Sequence, residues 1–216
     1  MIYLLSDLHG DMYHAGLQEY LSHSEDDDIL ILLGDIGLNF ENTQENRVFT
    51  DAFLKLHRNI AFIDGNHENF NYLYKFPVEE WNGGMVHRLT DHIVHLMRGN
   101  VFTIKNKTFF VFGGCKSSQK WKDQGLWYPQ EEAVEEEYQL AYRNLSQHHM
   151  QVDYILTHKY EKEDVQGESV LSLQALTNFI DKRVSFKYWY SGHWHENRMI
   201  DEKHILVYDR IQYIAD

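Results

Sequence analysis

The chain has 216 residues, 43% of them hydrophobic and 14% aromatic, which is enough apolar side chain to bury a sizeable core and excludes a disordered chain. We expect one domain over residues 1–216. The net charge of −13 argues against naked nucleic acid as a partner, because such binding rests on Lys and Arg neutralising phosphates, although a site made locally positive by bound metal ions is compatible with it.

The longest apolar run, "ILILL", is far too short to span a bilayer, so no membrane partner is expected. The opening "MIYLLSD" reads as a core strand, with neither the basic lead nor the cleavage site of a signal peptide. The single Cys115 excludes an internal disulfide and a cysteine zinc cluster, and we read it as a buried small residue. Together these features favour the cytoplasm. Much of the acid lies in "SEDDD" and "EEAVEEEY", read as solvated faces. Fourteen histidines are about twice the ordinary usage for this length.

In chain order, strands are predicted over 2–6 and 29–33. A helix follows over 44–57, with the stripe Val48, Phe49, Ala52, Phe53 and Leu56. Strands are expected again over 60–63, 101–104 and 108–112. The helix over 130–147 carries Val134, Tyr138, Ala141 and Leu145, follows Pro129 and opens with Glu131 and Glu132, which suit the positive end of a helix dipole. After a strand over 153–156, Leu173, Leu176 and Ile180 form a third stripe behind a cap at Ser169 or Ser172. Strands over 187–190 and 204–208 complete the pattern. Several of these strands are continuous apolar runs, as expected when both faces are covered, and the alternation indicates a layered α/β domain. Segments 69–100 and 113–129 read as long connections, which are often functional.

Five strands end in chemistry. "IYLL" is followed by Ser6-Asp7-Leu8-His9, "ILILL" by Gly34-Asp35, and "IAFI" by Asp64-Gly65-Asn66-His67-Glu68. "DYIL" is followed by Thr157-His158 and "YWY" by Ser191-Gly192-His193-Trp194-His195. Open α/β sheets bind their ligands at these carboxyl ends. Asp7 and His9, like His193 and His195, are two apart and would share a side in an extended chain. Glycines before Asp35, Asn66 and His193 permit tight turns and close backbone approach. Asp7, His9, Asp35, Asn66, His158, His193 and His195 offer carboxylates, imidazoles and an amide oxygen, without a thiolate. Such a set suits Mn²⁺, Fe or Zn²⁺, and seven donors suit two ions sharing one carboxylate.

In these blocks the chain resembles the calcineurin-like metallophosphoesterases: "SDLHG", "GD" at 34–35, "GNHE" at 65–68, "TH" at 157–158 and "GHWH" at 192–195. The resemblance implies a four-layer α/β/β/α sandwich of two mixed sheets flanked by helices. It also implies two divalent metal ions, manganese before iron or zinc. One would be held by Asp7, His9, Asp35 and His195, the other by Asp35, Asn66, His158 and His193, with Asp35 as the bridge. His67 would stand near the phosphate as general acid. A metal-bridging hydroxide would then hydrolyse a phosphoester bond of a phosphorylated small molecule or nucleotide. The chain departs from the Ser/Thr protein phosphatase branch at "GDIGLNF" and at Asp64, where that branch carries an arginine. The block "GGCKSSQKWKDQGLWYPQEE" is similar to one in some bacterial and phage members, with Gln119 where an acid is usual.

Around this set, Glu68 is expected to orient His67 or a metal ligand, or to cap a helix. Asp11 and His14 read as an exposed helix start, with a place in the site as the alternative. Lys116, Lys120, Lys122 and Arg143 are candidates to hold substrate phosphate, and Trp121, Trp127 and Tyr128 read as packing their loop. The remaining histidines, among them His87, His95 and His204, are taken as structural. Two other functions compete: a DNA or RNA phosphodiesterase of the same superfamily, against which the acidic balance counts, and a non-catalytic protein-binding scaffold on this fold, which would not need the complete donor set.

Overall fold

A computed structural model describes residues 1–161 and 173–214. Its first sheet has seven strands: β1 (Ile2–Leu5), β2 (Ile29–Leu32), β3 (Asn59–Phe62), β4 (Val78–Trp81), β5 (Gly84–Arg88), β6 (Ile93–Leu96) and β13 (Gln212–Ile214), in the order β13-β1-β2-β3-β6-β5-β4. The second has six: β7 (Val101–Ile104), β8 (Lys107–Phe112), β9 (Tyr154–Thr157), β10 (Tyr188–Ser191), β11 (Arg198–Met199) and β12 (His204–Leu206), in the order β11-β12-β10-β9-β8-β7. Both sheets are mixed. The run β1-β2-β3-β6 is parallel, as is β8-β9-β10-β12, and the outer strands pair antiparallel.

Side chains along a strand alternate between faces, so each sheet needs cover on both. In β2 and the residue after it, Ile29, Ile31 and Leu33 face one core, while Leu30 and Leu32 face another. The first core lies between the sheets, where Ile31, Ala61 and Val94 meet Phe109, Val111 and Leu156. The second joins the first sheet to α1 (Ala15–His23) and α2 (Gln44–Phe53) through Leu17, Tyr20, Phe49 and Phe53. The third joins the second sheet to α5 (Glu135–Gln147) and α6 (Leu173–Arg183) through Tyr138, Ala141, Leu145, Leu176 and Ile180. The result is the expected α/β/β/α sandwich. Two short helices, α3 (Phe70–Leu73) and α4 (Gln119–Asp123), lie in loops.

Several expectations are corrected. Segment 69–100 is not a long connection: it holds α3 and the strands β4, β5 and β6. Val48 is exposed and does not belong to the buried stripe of α2, which ends at Phe53 rather than at residue 57. The helix expected from 130 begins at Glu135, with the exposed Val134 as its N-cap residue. Glu137 closes that end by accepting a hydrogen bond from the Val134 amide at 2.9 Å. Glu131 stands instead in a 3₁₀ turn, Pro129–Glu131, and is fully buried. The proposed caps Ser169 and Ser172 lie outside the described residues. No helix among the described residues is long and apolar enough to cross a membrane.

Candidate metal centre

Parallel pairing puts the carboxyl ends of β1, β2 and β3 side by side, and those of β8, β9 and β10 likewise. Hydrogen bonds then join the two groups of ends across the sandwich. His158, after β9, contacts the Leu33 carbonyl through Nδ1 at 2.7 Å, which leaves Nε2 facing the centre. The His193 amide, after β10, donates to Asp7 Oδ2 at 3.0 Å.

All seven candidate donors gather here. His9 Nε2 lies 3.0 Å from His195 Nε2, and His195 Nε2 lies 3.3 Å from Asp7 Oδ1. Asp35 faces both ways: its Oδ2 is 3.6 Å from His9 Nε2 and its Oδ1 is 3.4 Å from His158 Nε2. His158 Nε2 is in turn 3.3 Å from His193 Nδ1. Asp7, Asp35, Asn66 and His158 are buried, whereas His9 and His195 are exposed, so the cluster opens to solvent on the His9 side.

Positions two apart do not converge here by lying in extended chain. Asp7, His9, Asp35, His193 and His195 all have left-handed backbone, with φ of 58°, 46°, 54°, 70° and 51°. Non-glycine residues pay about 1–3 kcal/mol in such conformations, and these cluster where function holds them. Gly34 (φ +95°) turns the chain after β2, and a side chain there would run into the His158 ring. Gly65 has no positive φ; its role is space, since a Cβ would collide with the Asp35 carboxylate.

The residues fit a pair of cations. Asp7 Oδ1 is buried with the ring nitrogens of His195 and His9 at 3.3 and 3.8 Å, a carboxylate oxygen that a cation held among them would satisfy. Burial disfavours the Asp35 charge, but the neighbouring His158, His67 and His9 hold its carboxyl well below the usual range. Burial also opposes protonation of His158, yet Asp35 raises it well above the ordinary imidazole value. Hydrogen bonding to Asp7 raises His195, while burial and His158 push His193 down to about 3.

The surrounding residues brace these donors. Asn66 Nδ2 donates to Ser117 Oγ at 3.1 Å, which turns Oδ1 the other way, and Ser117 Oγ donates to Glu131 at 2.7 Å. Glu68 does not cap a helix; Asn69 caps α3. Glu68 accepts from the amides of Ile36 at 2.7 Å and Gly37 at 3.3 Å and thereby holds the turn after Asp35. Burial, with Asp35 nearby, pushes the Glu68 carboxyl up to about 8. Asp64 is gripped by Arg98, whose Nε donates at 2.8 Å, and by His95 Nε2 at 3.0 Å. His87 Nδ1 lies 3.0 Å from His95 Nδ1, so both histidines, read from the sequence as structural, support the turn beneath Gly65 and Asn66.

His67 is buried, its ring packed edge-on against Trp121 at 4.5 Å and beside His9 at 5.1 Å. Burial lowers its pKa, and Asp35 opposes that shift. Of the other candidates, His14 is buried as the N-cap residue of α1 and packs on Tyr208, while Asp11 accepts from the Tyr13 amide. Lys120 lies over Trp121, and Lys122 lies over Trp127 and pairs with Glu132 at 3.4 Å. Lys116 lines a groove of about 890 Å³ beside Cys115, together with Lys122 and Lys159. Arg143 is on the exposed side of α5.

A thiol stands beside the expected donor set. Cys115 Sγ lies 3.0 Å from Asn66 Oδ1 and 3.6 Å from His193 Nδ1. The signal was present in the sequence: "TFFVF" is a sixth strand, and it too ends in chemistry, at Gly113-Gly114-Cys115.

No curated protein matches the chain in sequence. Its structure is similar to the crystal structure of phosphopantetheinyl hydrolase from Mycobacterium tuberculosis, with a TM-score of 0.45 and 16% identity over 96% of this chain and 89% of that one. The sequence profile of the calcineurin-like phosphoesterases matches residues 1–197, nearly the whole chain. The chain therefore belongs to the calcineurin-like phosphoesterase family, whose divalent-metal-dependent members hydrolyse phosphoric esters, and it is a hydrolase of that kind.

Proposed function

We propose that residues 1–216 act as one metallophosphoesterase domain that holds two divalent cations, Mn²⁺ before Fe or Zn²⁺, and hydrolyses a phosphoester of a small molecule or nucleotide. The observation that carries this reading is Asp35, whose two carboxylate oxygens face His9 on one side and His158 on the other. Asp7, His9, Asp35 and His195 would hold the outer cation, and Asp35, Asn66, His158 and His193 the inner one. When bound, such a pair lowers the pKa of a coordinated water and stabilises charge on a phosphoryl group.

The chain's own residues do the rest. Asp7 and Asp35 would offset only part of the charge of two bound cations, which leaves the site net positive and suited to a phosphate anion. The His67 ring, wedged between Trp121, Phe40 and His9, has little freedom to turn away. In the imidazolium form, which Asp35 favours against the effect of burial, its N–H would deliver the proton to the departing oxygen, a contribution of about 10²–10⁴-fold. Glu68 keeps the Asp35 turn from shifting as the substrate arrives. The net charge of −13 favours small substrates over nucleic acid.

The test is a substrate panel on metal-stripped protein, with and without Mn²⁺: aryl monoester, bis-aryl diester, nucleotides, dinucleoside polyphosphates and single-stranded DNA. We expect Mn²⁺-dependent turnover of at least one small ester and none of the DNA. Cleavage of DNA alone would transfer the assignment to a nuclease, and inertness on every substrate would favour a scaffold.

A further inference from the structure

We infer that Cys115 is a thiolate donor to the inner cation site, and that this site selects a thiophilic cation such as Zn²⁺ over Mn²⁺. The inference rests on the two-cation reading above and reverses its metal order at the inner site.

The sulfur is placed by a built turn rather than by a lone residue. β8 ends in Gly113-Gly114, where Gly114 takes φ +75°. A Cβ on Gly113 would sit 2.5 Å from the Asp64 carbonyl, so the chain can pass there only as glycine. Asp64 itself is fixed by Arg98 and His95, and its carbonyl accepts from the Gly114 amide at 2.7 Å. The turn therefore delivers Cys115, 5% exposed, against the inner donors.

Distances within the Cys115, His193 and His158 group match those of ligands that share one zinc ion. With Zn–S of about 2.3 Å and Zn–N of about 2.0–2.1 Å, a sulfur and a nitrogen on one ion stand about 3.5 Å apart, and two nitrogens about 3.3 Å. Cys115 Sγ to His193 Nδ1 is 3.6 Å, and His193 Nδ1 to His158 Nε2 is 3.3 Å. Donor atoms of Cys115, His158 and His193 all lie within 4.8 Å of one another. Without a cation, the thiol donates to Asn66 Oδ1. With one bound, the thiol proton leaves to solvent and sulfur and amide oxygen both turn to the ion. The outer donors, two imidazoles and two carboxylates, contain no sulfur, so the two sites differ in softness.

Cobalt separates the outcomes. Metal-stripped protein is reloaded with Co²⁺, and its absorption is compared with that of Cys115→Ser and Cys115→Ala. We expect a thiolate-to-cobalt charge-transfer band in the near ultraviolet for the unaltered protein, absent from both variants. In equilibrium competition of Zn²⁺ against Mn²⁺, read by metal analysis, the variants should lose at least about tenfold in zinc preference at one of two sites. Two bound cobalt ions without the band would overturn the role of Cys115 and leave the two-cation reading standing. Failure to take up any metal would sink that reading first. Should the variants not fold, the spectrum of the unaltered protein decides alone.

Discussion

Asp35 and His67 stand side by side in the fold, although 32 residues apart in sequence, yet should fail differently. The Asp35 carboxylate faces His9 with one oxygen and His158 with the other, and its Oδ1 also accepts from the His67 amide at 2.7 Å. An amide in its place would lose the charge that both proposed cations require. Asp35→Asn should therefore lose both metals on equilibrium dialysis and at least about 10³ of the turnover. His67 makes no donor contact of that kind. His67→Asn should keep its metals and lose about 10²–10⁴ in rate, most with alkyl leaving groups, which need the proton. Full activity of this variant on an alkyl phosphate would remove His67 from the chemistry. Both residues were legible in the sequence because the residue types themselves are unusual after an apolar strand. The left-handed backbone of Asp7, Asp35 and His193 was not legible, since it is imposed by hydrogen bonds from strands distant in sequence.

Whole elements hang on two buried charge clusters. Arg98, between β6 and β7, ties Asp64 after β3 to Glu137 on α5 and to the carbonyls of Gln130 and Glu131. Burial opposes the Asp64 charge, but Arg98 and His95 hold its carboxyl well below the usual range. Arg98→Met leaves that carboxylate with His95 alone. The expected cost is about 3–5 kcal/mol by urea unfolding, with weakened metal uptake because Gly65 and Asn66 follow Asp64; a cost under about 1 kcal/mol would refute the account. The second cluster is His204 in β12, whose Nε2 reaches Asp181 on α6 at 2.9 Å and whose Nδ1 reaches Asp201 at 2.7 Å. Only the doubly protonated ring donates to both. Burial opposes this protonation, but the two carboxylates raise the pKa above its ordinary 6.5. The stabilisation is thus full below pH 6.5 and fades as the pH rises through the raised value. The stability gap to His204→Gln should shrink over that window; a gap independent of pH would show that only packing was lost. At this scale the sequence was partly readable. The dipeptide Asn82-Gly83, with φ of 50° and 91°, is a strong hairpin signal and joins β4 to β5. It was obscured because β4 is mostly exposed and lacks apolar alternation, and because β6 carries His95 in an otherwise apolar run.

Across the whole molecule, the sandwich presses two sets of parallel strand ends together, and each brings part of the charge. The fold buries Asp7 and Asp35 close together, where bound cations would offset their charge. Metal ions bind the folded chain and not the unfolded one, so they should stabilise it by mass action. At a Mn²⁺ concentration a hundredfold above Kd, the gain for one site is about 2.7 kcal/mol, read as a rise in Tm that chelator reverses. A Tm indifferent to both would contradict a cation-binding cluster. By itself the sequence determined the alternation of strands and helices, the donor types at five strand ends and hence the family, because apolar periodicity and residue chemistry are local properties. Tertiary structure alone decided that Asp35 looks both ways, that Arg98 and Glu131 underpin Asn66, and that Cys115 stands beside His193. Those relations join residues from a few dozen to more than a hundred positions apart, and nothing local to any of them encodes where its partner will lie.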